Sequence, residues 1–302
     1  MESRPFIYIS LAADMLIAIS KFIAAFFTGS SSMVSEGIHS LIDAASQLLL
    51  IWGVRSSRRK ADDDHPFGYG RELYFWSFIV SLIIFIVGGC LSFYEGLQRY
   101  DHPVYEGSIA WNYVILIIAF LFTSVSMFSV LRVFNKERGR MSFLAAIEQS
   151  KDPSTFITLL GDAGDMLGLI IAFLGIFLES VYHNPHYDAI ASMAIGAMLI
   201  VISLLMVRES KSLLMGETTS KKTLKRIITI TEEDAAVLKV KRHLSMYLSP
   251  EEVILQLNTV FKDDLTTHQI TDAIERIIKS IRKEFPRIKQ IFIEPVNMDE
   301  RK

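Results

Sequence analysis

Six runs of twenty or more mostly apolar residues fill the first two thirds of this chain, at about 6–28, 33–54, 73–98, 109–134, 155–180 and 187–208. A helix needs roughly 20 such residues to cross the hydrocarbon core of a bilayer. A bilayer leaves backbone polar groups no water to bond, so each run must close its hydrogen bonds within its own helix. The expected architecture is therefore a membrane all-α bundle of six transmembrane helices. Charge placement gives the rest. The last 94 residues, from Glu209, carry 32 of the charged side chains, as many as the 208 residues before them. The division predicts a membrane domain at 1–212 and a water-soluble domain at 213–302. Disorder, a secreted disulfide scaffold and a simple soluble enzyme are excluded. Cys90 is alone, so neither an internal disulfide nor a thiolate-rich metal site is available. The formal net charge of −2 gives no nucleic-acid signature. The first run contains Asp14 and Lys21 and no small-residue cleavage site, which predicts a retained helix rather than a signal peptide.

Loop charges set the orientation. Arg55, Arg58, Arg59, Lys60 and Arg71 follow the second run, and Arg132, Lys136, Arg138, Arg140 and Lys151 follow the fourth. Arg208, Lys211, Lys221 and Lys222 follow the sixth, whereas residues 28–36 and 179–188 carry no Lys or Arg and 98–107 only Arg99. The positive-inside rule places both termini and the tail in the cytoplasm, or in the matching compartment of an organelle. In a bacterium the membrane would be the inner one. Within the tail, a basic helix at Lys221–Ile230 precedes strands at Val237–Tyr247 and Glu252–Phe261. A helix at Thr266–Phe285 with apolar residues at helical spacing follows, then a strand at Ile288–Glu294. The order α-β-β-α-β predicts a small α+β domain of ferredoxin-like type.

Ionisable residues inside a membrane helix are costly and mark function by default. The second run holds Glu36, His39, Asp43 and Gln47; His39 and Asp43, four apart, share one helix face. The fifth holds Asp162 and Asp165 on one face, with Thr158 a turn before. If the faces meet, an imidazole and up to three carboxylates converge. That donor set suits Zn²⁺, or Mn²⁺ or Fe²⁺, and lacks the thiolate that Cu⁺ prefers. A lone His39 would be as readily explained as a helix–helix hydrogen bond. Two carboxylates on one face need a cation, a proton or a base nearby, which favours an ion site.

The run Ser35-Glu36-Gly37-Ile38-His39-Ser40-Leu41-Ile42-Asp43, preceded by Thr28-Gly29-Ser30, resembles the second-helix signature of the cation diffusion facilitator family. Asp64-His65-Pro66-Phe67-Gly68 resembles that family's following loop. The resemblance implies a homodimer that exports a divalent metal, most simply Zn²⁺, in exchange for protons. It implies an ion site made by an HxxxD or DxxxD pair on helix 2 and another on helix 5. His39 and Asp43 match the first pair. On helix 5, Asp162 matches the family Asp, but Thr158 stands where the other ligand is expected. Around it, Leu160-Gly161-Asp162-Ala163-Gly164-Asp165 is similar to a divergent branch containing a mitochondrial zinc transporter. The expected metal residues are thus His39, Asp43, Asp162 and Asp165, with Thr158 or Asp165 filling the gap. The metal is cargo, and no cofactor is expected. Asp14 and Lys21 read as structural polar contacts, and 62–65 as a solvated acidic loop or an accessory metal site. In the tail, Leu257 and Phe292 replace ligands that would accompany His268 and Glu294, which speaks against a metal there. Three alternatives stay open: a Mn²⁺ or Fe²⁺ transporter, a regulator or scaffold that kept the fold without transport, and a membrane enzyme. The last lacks any water-facing nucleophile or acid–base set.

Overall fold

A computed structural model describes residues 5–28, 31–102, 109–138 and 151–298. Gly29, Ser30, Arg140 and the outer-loop segment 103–107 lie outside the described residues, as do the side chains of Glu36 and His39. Among the described residues six helices come first: α1 (Pro5–Thr28), α2 (Ser31–Ser56), α3 (Glu72–Asp101), α4 (Ile109–Arg138), α5 (Pro153–Tyr182) and α6 (His186–Met215). Among the described residues four helical stretches are long and apolar enough to cross a membrane: Glu72–Asp101, Tyr113–Lys136, Pro153–Tyr182 and His186–Met215. The first two expected runs fall on α1 and α2, of 24 and 26 residues.

The described residues form two compact units, one from Met1–Arg58 and Glu72–Lys211, the other from Arg59–Arg71 and Ser212–Lys302. In the first unit, α1 lies against α2, α4 and α5; α4 also packs on α5, and α2 on α3. Between α3 and α6 the backbones approach until only glycine fits. A Cβ on Gly96 would stand 2.7 Å from the Met193 nitrogen, and one on Gly196 would strike the backbone of Phe93. Lipid offers apolar helices no hydrophobic reason to associate, so contact of this kind through small residues holds membrane helices together. Midway along α3, Ile84–Leu91 winds as a π-helix.

In the second unit, α7 (Lys221–Glu232), β1 (Val237–Ser249), β2 (Glu252–Phe261), α8 (Thr267–Glu284) and β3 (Ile288–Pro295) follow in the order α-β-β-α-β. The sheet order is β1-β2-β3, with β1 antiparallel and β3 parallel to β2. Strand β2 alternates as a one-sided strand must: Val253, Leu255, Leu257 and Thr259 are buried, while Ile254, Gln256 and Asn258 are partly open. Leu224 and Ile227 of α7 and Ala273, Ile277 and Ile281 of α8 complete the core. Each helix starts where a side chain can satisfy its first free N–H groups. Ser220 accepts from Thr223, and Thr266 and Gln269 form a reciprocal capping box. Because Ile277 is 1% exposed in this core, Ile277→Ala should cost about 2–5 kcal/mol of tail stability. Native-state hydrogen exchange at the β2 amides would read the loss.

The loop Arg59–Arg71 is organised by its own side chains. Asp62 accepts from the Tyr69 hydroxyl at 2.7 Å and from the His65 N–H at 2.8 Å. These two bonds hold its carboxyl below the ordinary range. The Arg59 guanidinium lies 3.9 Å above the Tyr69 ring. At the end of the loop Arg71 donates to the Leu214 carbonyl at 2.5 Å, tying this loop to the chain entering the tail.

Asp234 carries the clearest pH prediction. Burial pushes its carboxyl upward, but two Arg276 N–H bonds of 3.0 Å and the Ala236 N–H at 3.0 Å outweigh burial, and its pKa is lowered. A depressed carboxylate stabilises the fold above its unfolded value, near about 4, and that contribution drains away as pH falls through the folded value. Asp234→Asn should therefore weaken the tail at neutral pH and flatten its stability profile at acid pH. Thermal unfolding against pH for the two chains checks this.

Candidate functional site

The fifth helix is set in place from its first turn. Asp152 caps it, accepting from the Ser154 N–H at 3.1 Å and the Ser154 hydroxyl at 2.6 Å, and Pro153 occupies the first helical position, where no N–H is needed. Ser154 through Leu159 are buried, so the start of α5 is enclosed by protein. Asp162 lies two turns along and is 4% exposed. Its Oδ2 accepts from the Ser126 hydroxyl of α4 at 2.7 Å. Thr158, fully buried, donates its hydroxyl to the Ser154 carbonyl at 2.9 Å. The residue in the unmatched ligand position is thus bonded to its own helix. Asp165 lies on the accessible side of α5.

Asp43 is half-buried on α2, one turn after His39. Gln47 is a further turn along the same face, and its Oε1 is buried without a hydrogen-bond partner. From α1, Asp14 joins these residues. Asp165 feels the charges of Asp43, Asp14 and Asp162, together with Lys21, and Asp14 feels those of Asp43 and Asp162. Asp14, Asp43, Asp162 and Asp165, with Lys21, are thus within range of one another's charges. Asp14 and Lys21 are the two residues of α1 expected as structural polar contacts. The His39 side chain lies outside the described residues. Among the described residues, no three His, Cys, Asp or Glu side chains stand close enough together to ligate one ion. Carboxylates within range of one another's charges, set among apolar helices, have one chemical use: neutralisation by a cation, a proton or both.

The weaker candidates have other partners. Asp62 is engaged by Tyr69 and His65, as described above. His268 Nδ1 is 3.0 Å from Asp272, and Glu294 receives the Asn258 amide at 2.8 Å and the Gln256 amide at 3.3 Å. The ring of His186, at the start of α6, is tilted by 48° to that of Tyr100, with centroids 4.8 Å apart. The Ser126 bond to Asp162 was not legible in the sequence, because a serine in an apolar run gives no sign of which neighbour its hydroxyl will meet.

Residues 7–215 match the cation efflux transmembrane domain. The chain is 32% identical over 233 residues to the human protein named proton-coupled zinc antiporter SLC30A9, mitochondrial, covering 76% of this chain and 41% of that protein. The Xenopus laevis protein of that name is 29% identical over 282 residues, covering 92% of this chain and 50% of its own length. This chain therefore spans half or less of these relatives. The manganese efflux system protein MneP of Bacillus subtilis is 22% identical over 303 residues, covering 96% of this chain and 95% of MneP. The chain belongs to the cation efflux family, whose members are membrane transporters rather than enzymes.

Proposed function

We propose that this protein moves a divalent metal cation, Zn²⁺ in the first instance, out of the cytoplasm in exchange for protons. The match of residues 7–215 to the cation efflux transmembrane domain carries the reading, and the charges of Asp43 and Asp162 acting on Asp165 within it support the choice of site. In this reading residues 1–212 form a six-span transport domain, α1 and α2 being the first two spans, and residues 213–302 a ferredoxin-like cytoplasmic domain. Both termini face the cytoplasm, and two copies pair as a homodimer. His39, Asp43, Asp162 and Asp165 hold the ion. Neutral imidazole and ionised carboxylates bind metal, so metal and protons compete for the same atoms. Alternating access then lets metal enter from one side and protons displace it from the other.

A second reading, transport of Mn²⁺, is favoured by the end-to-end match to MneP. Proteoliposomes with an internal pH dye, offered Zn²⁺, Mn²⁺, Fe²⁺ and Co²⁺ in turn, separate the two readings. Proton release driven by Zn²⁺ above the others supports the first, and a response to Mn²⁺ alone supports the second. No response to any ion would leave a non-transporting regulator. Within the site, Asp165→Asn keeps the volume and removes the charge. If Asp165 supplies the ligand that Thr158 does not, metal affinity should fall by more than about tenfold by isothermal titration.

A further inference from the structure

We propose that Ser126 of α4 is a positioning residue for the ion site: its hydroxyl fixes the carboxylate of Asp162 in the orientation that receives the cation. The inference rests on the ion-site reading above. The residues explain why this serine reaches that carboxylate. Ile115, Ala119, Thr123, Ser126, Val130 and Phe134 are spaced by three or four and all buried, which makes one stripe of α4 the packed face. Helix α5 packs against α4, and Asp162 is on its buried side.

Serine and threonine in apolar helices commonly return their hydroxyl to the carbonyl four residues back. Ser20, Ser81, Ser124 and Thr158 all do so here, to Leu16, Ser77, Phe120 and Thr158's own predecessor Ser154. Ser126 instead donates across the helix interface to Asp162 at 2.7 Å, with both residues almost wholly buried. A hydrogen bond to a carboxylate in such surroundings is shorter and stronger than a neutral one. The consequence is directional. The last torsion of an aspartate is broad and two-fold, so its own backbone does not choose the plane of the carboxylate. A donor fixed to Oδ2 chooses it, and with it the direction of Oδ1. Partners that orient metal ligands in this way generally change affinity 10–100-fold when removed.

The test uses the full chain in lipid nanodiscs, with Zn²⁺ as the probe and a chelating dye as competitor. Ser126→Ala should bind Zn²⁺ about 10–100-fold more weakly while the metal-free protein remains folded. Ser126→Thr keeps the hydroxyl and should bind within about threefold of the starting protein, while Ser126→Val, which has the shape of Ser126→Thr without the hydroxyl, should match Ser126→Ala. Ser124→Ala, whose hydroxyl bonds its own helix, should change nothing. Unaltered affinity in Ser126→Ala overturns the proposal. So does an equal loss in Ser126→Thr and Ser126→Val, which would assign the effect to packing. Asp162→Ala in the same assay separates the two levels. If it abolishes binding while Ser126→Ala is silent, only the positioning role falls; if Asp162→Ala is silent as well, the ion-site reading falls.

Discussion

Asp162→Ala should reduce metal-driven proton flux in proteoliposomes to background, and Asp43→Ala should do the same. The expected effect is large because each carboxylate has two roles. It supplies an oxygen ligand, and it supplies negative charge without which a divalent ion would stand unneutralised among apolar helices. Asp165, itself in the proposed site, already serves the same ion, and Thr158 is bonded to its own backbone. Folding should survive, since removing one of several mutually repelling carboxylates relieves a cost. Flux is to be compared at matched protein level, with dimer content measured by light scattering. Near-normal flux in either variant would remove that residue from the site.

His39→Asp should turn the preference between Zn²⁺ and Mn²⁺ toward Mn²⁺ by about tenfold or more. Imidazole nitrogen suits Zn²⁺ and is less suited to the harder, oxygen-preferring Mn²⁺, while a carboxylate reverses the order. Asp43 lies one turn beyond on the same face of α2, and in the proposed site a carboxylate at position 39 takes the place of the imidazole. Competition binding of the two ions in both chains gives the ratio directly. An unchanged ratio would mean that His39 does not touch the ion, and its part in proton exchange would fall with it.

Much of this could be read from residue order, because hydrophobic periodicity and charge density report burial directly. The stretches expected at 155–180 and 187–208 lie within α5 and α6, and the tail's helices and strands follow in the expected order. Strand β2, expected at Glu252–Phe261, has those bounds because Ser249-Pro250 breaks the chain before it and alternation marks its length. Helix α6 runs on to Met215, beyond Arg208 where its apolar run stops. Apolar content locates contact with lipid, whereas helical hydrogen bonding continues through charged residues until something ends it. The candidate ion-site residues were nameable from the sequence as residue types on two helices. That Asp14 and Lys21 of α1 come within range of the charges of Asp43, Asp162 and Asp165 depends on helix packing, which spacing along one helix does not encode. The same holds for the bond from Ser126.

The π-helix in α3 bears on how this chain tolerates change in length. A π turn accommodates an extra residue within an otherwise α-helical rod. Deleting a residue from a plain membrane helix rotates everything beyond it by about 100°, carrying packed faces into lipid. Within Ile84–Leu91 the loss of one residue can instead be absorbed by reversion to ordinary α-helix. Leu73 and Tyr74 on one side and Gly96 on the other would then keep their buried faces. This segment gives the helix a place where one residue can be lost while the seam beyond it stays in register.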